Sequence, residues 1–260
     1  FSSVCLKEIF RQAQSSLIVR NAHAINDGIY PDLTVKDGDF FFLRRDDERN
    51  IAPTVADLII NRLPKSYGEE IRGGIQVITP SHKGAAGTAC LNAMLQNALN
   101  PPDPKKNERK VRDVVFRAGD RVMQTKNNYD ITWERDGKEG TGIFNGDIGK
   151  ILSVNLHEEN VTIDFDGRIT EYDFTQLDEI EHAYAITVHK SQGSEYPVVI
   201  IPAFSSSPRL LTRNLLYTAV TRAKDMVIIV GSERVIKEMV DNNRLVQRYT
   251  GLSFLLRSYN

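Results

Sequence analysis

A chain of 260 residues, 41% of them hydrophobic, can bury a sizeable core in one large domain or two smaller ones. Its 33 basic and 34 acidic residues nearly cancel, which excludes a histone-like polycation and leaves any nucleic-acid contact to local patches. Cys5 and Cys90 lack CxxC or metal-ligand spacing and read as small buried hydrophobes of a reducing, cytoplasmic compartment, while apolar runs such as 198–201 are far too short to span a bilayer.

The chain opens on Phe1, without a signal-peptide layout, and reads as part of a longer protein with further motifs upstream. Leu6, Ile9, Phe10 and Ala13 recur at helical spacing, and a second helix is expected from a Ser16 cap to a Gly28 stop. Residues 39–43 read as a strand, 55–63 as an amphipathic helix, and 76–78 as a buried strand. A helix over 85–99 follows, ended by Asn100-Pro101-Pro102. Strands alternating with helices predict a parallel sheet with helices on its faces.

The character changes after Pro104. Residues 105–126 carry eight Lys or Arg against three acids, and no 3.6-residue apolar period appears through about Leu177. Short alternating runs at 122–125, 148–154, 161–165 and 169–174 appear instead, with turn signals at Asn145-Gly146-Asp147 and Asp166-Gly167. They predict a small antiparallel β module, a barrel. From about Ala183 the α/β pattern returns, with strands at 198–201 and 226–230, a helix over 209–223 and a last helix capped by Ser232. The simplest topology is one α/β domain interrupted by an inserted β module.

Three near-matches to ligand loops fail. Thr162 to Asp173 imitates a calcium loop, but Thr stands first, Asp stands last, and the flanks alternate like strands; a hairpin at Asp166-Gly167 explains it better. Gly146 to Lys150 lacks phosphate-loop spacing, with Phe144 where the first glycine belongs and Ile151 after the lysine. His82 to Thr88 has the wrong order. No apolar strand ends in Asp-Glu, since Asp46-Asp47-Glu48 follows two arginines.

Two other stretches concentrate polar chemistry. Residues 185–197 place Thr187, His189, Lys190, Ser191, Gln192, Gly193 and Glu195 between two apolar strands, where α/β sheets bind ligands; taken alone, this also fits a plain crossover loop. Residues 216–224 put Arg222 near the end of a helix whose other face is Leu215, Leu216, Ala219 and Val220, which alone also fits a solvated helix-end cation.

Together these stretches resemble superfamily 1 helicases, and among them the RecD-like branch. HKSQGSEY looks like that family's motif V and YTAVTRAK like its motif VI. Ile9 to Gln12 with Asn21 to Asn26 looks like its motif IV region. Ile78-Thr79-Pro80, the 91–101 run, Gly119 to Gln124 and Asn145 to Gly149 fit the same branch in the right order. The resemblance implies a RecA-like (P-loop NTPase-type) parallel sheet with helices on both faces, interrupted by an SH3-like antiparallel β-barrel. It divides the chain into a second RecA-like domain at 1–112 and 180–260 and an insert at 113–179.

In such a motor ATP sits between two RecA-like domains, and phosphoryl transfer is accelerated by positioning and by neutralising developing charge. A guanidinium keeps its charge and offers a planar fork of donors. By resemblance Arg222 is the arginine finger and Arg11 a second γ-phosphate contact. Gln12, Gly193 and Glu195 fall on the nucleotide, with Gly193 allowing close backbone approach and Glu195 contacting the sugar. Thr79, Thr187, His189, Lys190 and Asn145 resemble positions on single-stranded DNA, gripped through its backbone without sequence readout. Lys105, Lys106, Arg109, Lys110, Arg112 and Arg117 could add phosphate contacts or form a solvated linker. Asn127, Asn128 and Asn145 fit turns as well as DNA contact.

The resemblance also implies ATP and Mg2+ as cofactors of the intact protein, held by a preceding RecA-like domain, with no metal ligand in this chain. It implies movement 5′ to 3′ and a place in recombination or repair, without a membrane partner. This chain alone is expected neither to hydrolyse ATP nor to unwind DNA. A non-catalytic nucleic-acid-binding or scaffold module that kept the fold, and an RNA helicase of the same superfamily, stay open as rivals.

Overall fold

The computed structural model describes residues 16–244 together with Gly251 and Leu255. Cys5, Arg11, Gln12 and the helix expected over 6–13 lie outside the described residues.

Helix α1 (Leu17–Asp27) starts at Ser16, whose Oγ accepts the Val19 amide, and stops at Gly28, left-handed at φ 79°. After β1 (Phe40–Arg44) comes one long rod rather than the shorter helix expected over 55–63. It comprises α2 (Ile51–Asp57), a wide turn at Leu58–Arg62, and α3 (Leu63–Tyr67). Leu63 donates to Leu58 O five residues back, and Pro64, lacking an N–H, suits the widened turn. A turn of helix, α4 (Ile71–Gly74), leads into the fully buried β2 (Ile75–Thr79), and α5 (Thr88–Leu99) follows. Cys90, on α5, is exposed rather than buried, because the helix packs through Leu91 and Leu95.

The β module begins with a hairpin, β3 (Glu108–Val111) and β4 (Val114–Arg117). Then come β5 (Arg121–Gln124), β6 (Asn128–Arg135), β7 (Lys138–Ile143), β8 (Ile148–Asn155), β9 (Asn160–Phe165), β10 (Arg168–Asp173) and β11 (Ile180–His182). These seven form an antiparallel sheet in the order β11-β5-β8-β9-β10-β6-β7. It curls so that Ile180 and Ile143, from its two outermost strands, share one core with Ile151, Ile163, Phe165 and Tyr172. The turn at Asp166-Gly167, with φ 54° and 82°, is the hairpin expected in place of a calcium loop. Arg117 is buried, ion-paired to Glu108 at 2.7 Å and bonded to Asn100 O, so it is no DNA contact.

The chain then re-enters the first sheet through β12 (Ala185–Thr187), β13 (Tyr196–Ala203), α6 (Arg213–Val220), β14 (Ala223–Gly231) and α7 (Glu233–Asp241). Helix α6 is shorter than expected over 209–223, because Thr212 caps it by accepting the Leu215 amide. Ser232 precedes α7 but its side chain makes no cap bond. All five strands are parallel, in the order β1-β14-β13-β2-β12. Both faces are covered, which is why β13 and β14 read as unbroken apolar runs. One face packs α1, α6 and α7; the other packs the α2–α3 rod and α5.

The two crossings between the sheets meet at Asp120. Its Oδ1 accepts from Asn100 Nδ2 at 2.7 Å and Tyr184 OH at 3.0 Å. Its Oδ2 accepts from Gln96 Nε2 at 2.7 Å, the Arg117 amide at 2.9 Å and His182 Nε2 at 3.2 Å. Burial pushes this carboxyl up, but the donors from His182, Asn100 and Arg117 outweigh it and hold it below the usual carboxylate range.

Candidate functional site

The two polar stretches of the sequence meet in space. Tyr196 opens β13 and donates its N–H to Arg222 O at 2.9 Å, beside the Tyr196–Ala223 register pair. This fixes the loop before β13 against the end of α6. The half-buried Arg222 guanidinium closes the contact, with Nη1 to Ser194 O at 3.1 Å, Nε to Thr218 O at 3.2 Å and Nη2 to Thr221 Oγ1 at 3.3 Å. Every acceptor is neutral and every bond lies at the long end for N–H···O. Among the described residues Arg222 enters no ion pair; Glu195, in the same loop, faces Lys224 at 3.8 Å.

Gly193 sits at φ 89°, where an L side chain is strained although a Cβ would meet nothing within 4 Å. The backbone there is therefore exposed and open to close approach. Gly193 and Glu195 thus flank Ser194, whose carbonyl Arg222 holds. Gln12 and Arg11 lie outside the described residues.

Thr187, at the end of β12, begins a short turn, Val188–Ser191, pinned by Ser191 Oγ donating to Val188 O at 2.8 Å. His189 projects from it, exposed, into a cavity of 240 Å³ shared with Gln192, Arg209, Thr218 and Arg244. Lys190 Nζ reaches Glu181 Oε1 of the β module at 2.7 Å. Thr79 pairs with Thr187 at the ends of adjacent strands, but its side chain is fully buried and its hydroxyl donates to Ala86 O at 2.8 Å. The loop from Ser81 folds back over it, so its hydroxyl is occupied within the chain. Asn145 stands exposed on the module, with its N–H given to Asn127 Oδ1 at 3.0 Å.

The 81–88 loop joins a strand to a helix, as phosphate loops do, but its amides are spent internally: Gly87 to Gly84 O, Thr88 to Ser81 O and Ala89 to His82 O. Among the described residues no three His, Cys, Asp or Glu are grouped to hold a metal ion, and no helix is long and apolar enough to cross a membrane. Sequence reading missed the Asp120 joint. Asp120 was noted only as part of a motif, and its donors come from positions 96, 100, 117, 182 and 184, too scattered to form a pattern.

Comparison with known proteins gives matches in the same chain order. Residues 91–165 match a family described as the ATP-dependent RecD-like DNA helicase SH3 domain, and residues 182–230 match the UvrD-like helicase C-terminal domain. The ATP-dependent RecD2 DNA helicase of Deinococcus radiodurans is 32% identical over 230 residues, covering 88% of this chain and 29% of that protein. The RecD subunit of the RecBCD enzyme of Mycobacterium tuberculosis is 36% identical over 141 residues, 54% of this chain and 22% of that subunit. A crystal structure of Pif1 helicase from Bacteroides, in complex with ADP-AlF3 and single-stranded DNA, aligns at 18% identity. Its TM-score is 0.49, and the alignment covers 98% of this chain and 56% of that one. The chain spans less than a third of the length of these curated relatives. One family model falls largely on the inserted sheet and the other on the loop-to-α6 junction that holds Arg222, and the chain belongs to the RecD-like helicases.

Proposed function

We propose that this chain is the C-terminal motor domain of an ATP-dependent 5′ to 3′ DNA helicase of the cytoplasm. In this reading a second RecA-like domain, expected at 1–112 and 180–260, carries an SH3-like insert expected at 113–179, and the strands of the insert run slightly past those bounds, from β3 to β11. ATP and Mg2+ bind mainly to a preceding RecA-like domain, which closes onto this one. ATP supplies the phosphoryl group whose transfer drives the motor, and the residues here complete its site. Arg222, with Arg11, presents donors to the γ-phosphate, Glu195 faces the sugar, and Gln12 and Gly193 lie against the nucleotide. Thr187, His189, Lys190 and Asn145 hold the single strand.

The observation that supports this best is the state of Arg222. Its charge is balanced by no carboxylate among the described residues, and it is held by neutral oxygens beside an open backbone at Gly193. A cation so placed can turn to an anion without breaking an ion pair. The test uses the intact protein with its preceding domain. Arg222→Ala should lower ATP turnover by roughly 10³-fold. Turnover near the native rate would refute the finger, and a parent without a phosphate-binding loop would favour a non-catalytic module. Without that domain, the chain should neither hydrolyse ATP nor unwind DNA.

A further inference from the structure

Two large aromatic side chains stand exposed at one end of the β module. Tyr129 is 65% and Phe144 41% exposed, and their rings meet edge-on with centroids 5.6 Å apart. They flank the Asn128–Ile143 pair that ends β6 and β7. The pair is held firmly for a surface feature. Asn127 Nδ2 donates to Tyr129 OH at 3.1 Å, and Asn127 Oδ1 accepts the Asn145 amide at 3.0 Å, tying the two loops together. Beneath them Asn128 Oδ1 accepts the Asp130 and Ile131 amides, and Asn128 Nδ2 donates to Glu179 at 2.9 Å. Glu179 also accepts from Gln124 and faces Lys126 at 3.4 Å.

This end of the module is continuous with the Thr187–Ser191 turn. Lys190 bonds to Glu181, Glu181 pairs with Met123, and Met123 packs in one core with Val188. One residue further along β5, Gln124 exchanges backbone bonds with Asp147 and Gly146 of the loop that carries Asn145. A continuous run of contacts therefore links Lys190 to the aromatic pair.

The geometry points to a base-stacking site: Tyr129 and Phe144 receive an unpaired nucleobase of the single strand, with the Asn145 side-chain carboxamide and Lys126 beside its sugar and phosphate. The site rests on the single-strand reading above and extends it to residues that no motif marks. Rings held in place lose little freedom on stacking, and stacking on a π-face tolerates any base, as a moving motor needs. A proline-rich peptide is the competing occupant of exposed rings. The exposed Asn145 carboxamide and the adjoining Lys126 favour the phosphate-bearing chain.

The test is equilibrium binding of fluorescent oligo(dT) to the intact protein with its preceding domain, beside an abasic oligomer of equal length. Joint Tyr129→Ala and Phe144→Ala should weaken oligo(dT) binding about tenfold or more and leave the abasic oligomer unaffected. Tyr129→Phe, which keeps the ring, should bind oligo(dT) much as the native chain does. Native-like oligo(dT) binding by the double variant overturns the stacking site while the single-strand reading stands. Equal losses on both oligomers overturn it too, since they mark a structural role. Failure of the native chain to bind oligo(dT), with or without capture of a proline-rich peptide, overturns both readings.

Discussion

Asp120 and Arg222 are both charges on which separate parts of the chain converge, and the fold treats them in opposite ways. Asp120 has no exposure and accepts five donors from α5, from the turn before β5 and from the stretch around β11 and β12. Arg222 is half-buried and makes three longer contacts, all to neutral oxygens. A fully satisfied buried charge fixes a joint, because every way of loosening it strands a polar group. A charge held by weak neutral contacts is left for another partner at little cost. The joint ties the β module to the α/β sheet, and the loose arginine is where the proposed function puts the nucleotide.

Substitutions at the two positions should separate along that line. In the intact protein Arg222→Ala should cost about 10³-fold in turnover, roughly 4 kcal/mol of barrier, while moving folding stability by no more than about 0.5 kcal/mol. Urea unfolding of the same variant checks the second half; a loss beyond about 1 kcal/mol would make Arg222 a structural tie and dissolve the contrast. Asp120→Ala should do the reverse, costing on the order of 3 kcal/mol in urea unfolding, since it leaves buried donors without an acceptor. A smaller effect comes from Gly193→Ala, which should cost about 1 kcal/mol because of its positive φ, with no clash to add. Native-like unfolding of that variant would show that the loop relaxes.

Much of the α/β unit was legible in sequence, and the reason is periodicity. The Ser16 and Gly28 ends of α1, and the apolar strands around 198–201 and 226–230, follow from local chemistry that the fold leaves unopposed. The β module was legible where apolar residues alternate and opaque where they do not. Strands β6 and β7 carry polar outer faces, and their Asp136-Gly137 turn, φ 51° and 72°, was a plain hairpin signal that went unread. At the candidate site, motif order brought Gly193, Glu195 and Arg222 to notice, and their meeting depends on the Tyr196–Ala223 register, which no local pattern encodes. Thr79 shows the converse. A hydroxyl at a strand end suggests a ligand, and only the loop folded over it reveals that Ala86 O already accepts its hydrogen bond.

The smallest effect sharpens the comparison through acid. The Asp120 carboxyl titrates below its unfolded range of about 3.9, because the donors around it outweigh the cost of burial. Its contribution to stability is therefore complete above about pH 4 and is lost as the pH falls through the folded value. Glu179, also held low despite burial by Asn128, Gln124 and Lys126, adds to the same slope from within the module. Asp32, Asp47 and Glu233 are shifted in the same direction but lie at the surface, where solvent screens their partners, so they contribute little. Asp120→Asn keeps the shape, loses the charge and turns one acceptor into a donor. The variant should be less stable than the native chain at pH 7, and when both are unfolded at pH 5, 4 and 3 the gap should hold at pH 5 and narrow at pH 4 and 3. Part of the slope should survive in it because Glu179 is intact. A gap that stays constant across that range would mean the Asp120 joint is held by shape rather than by charge.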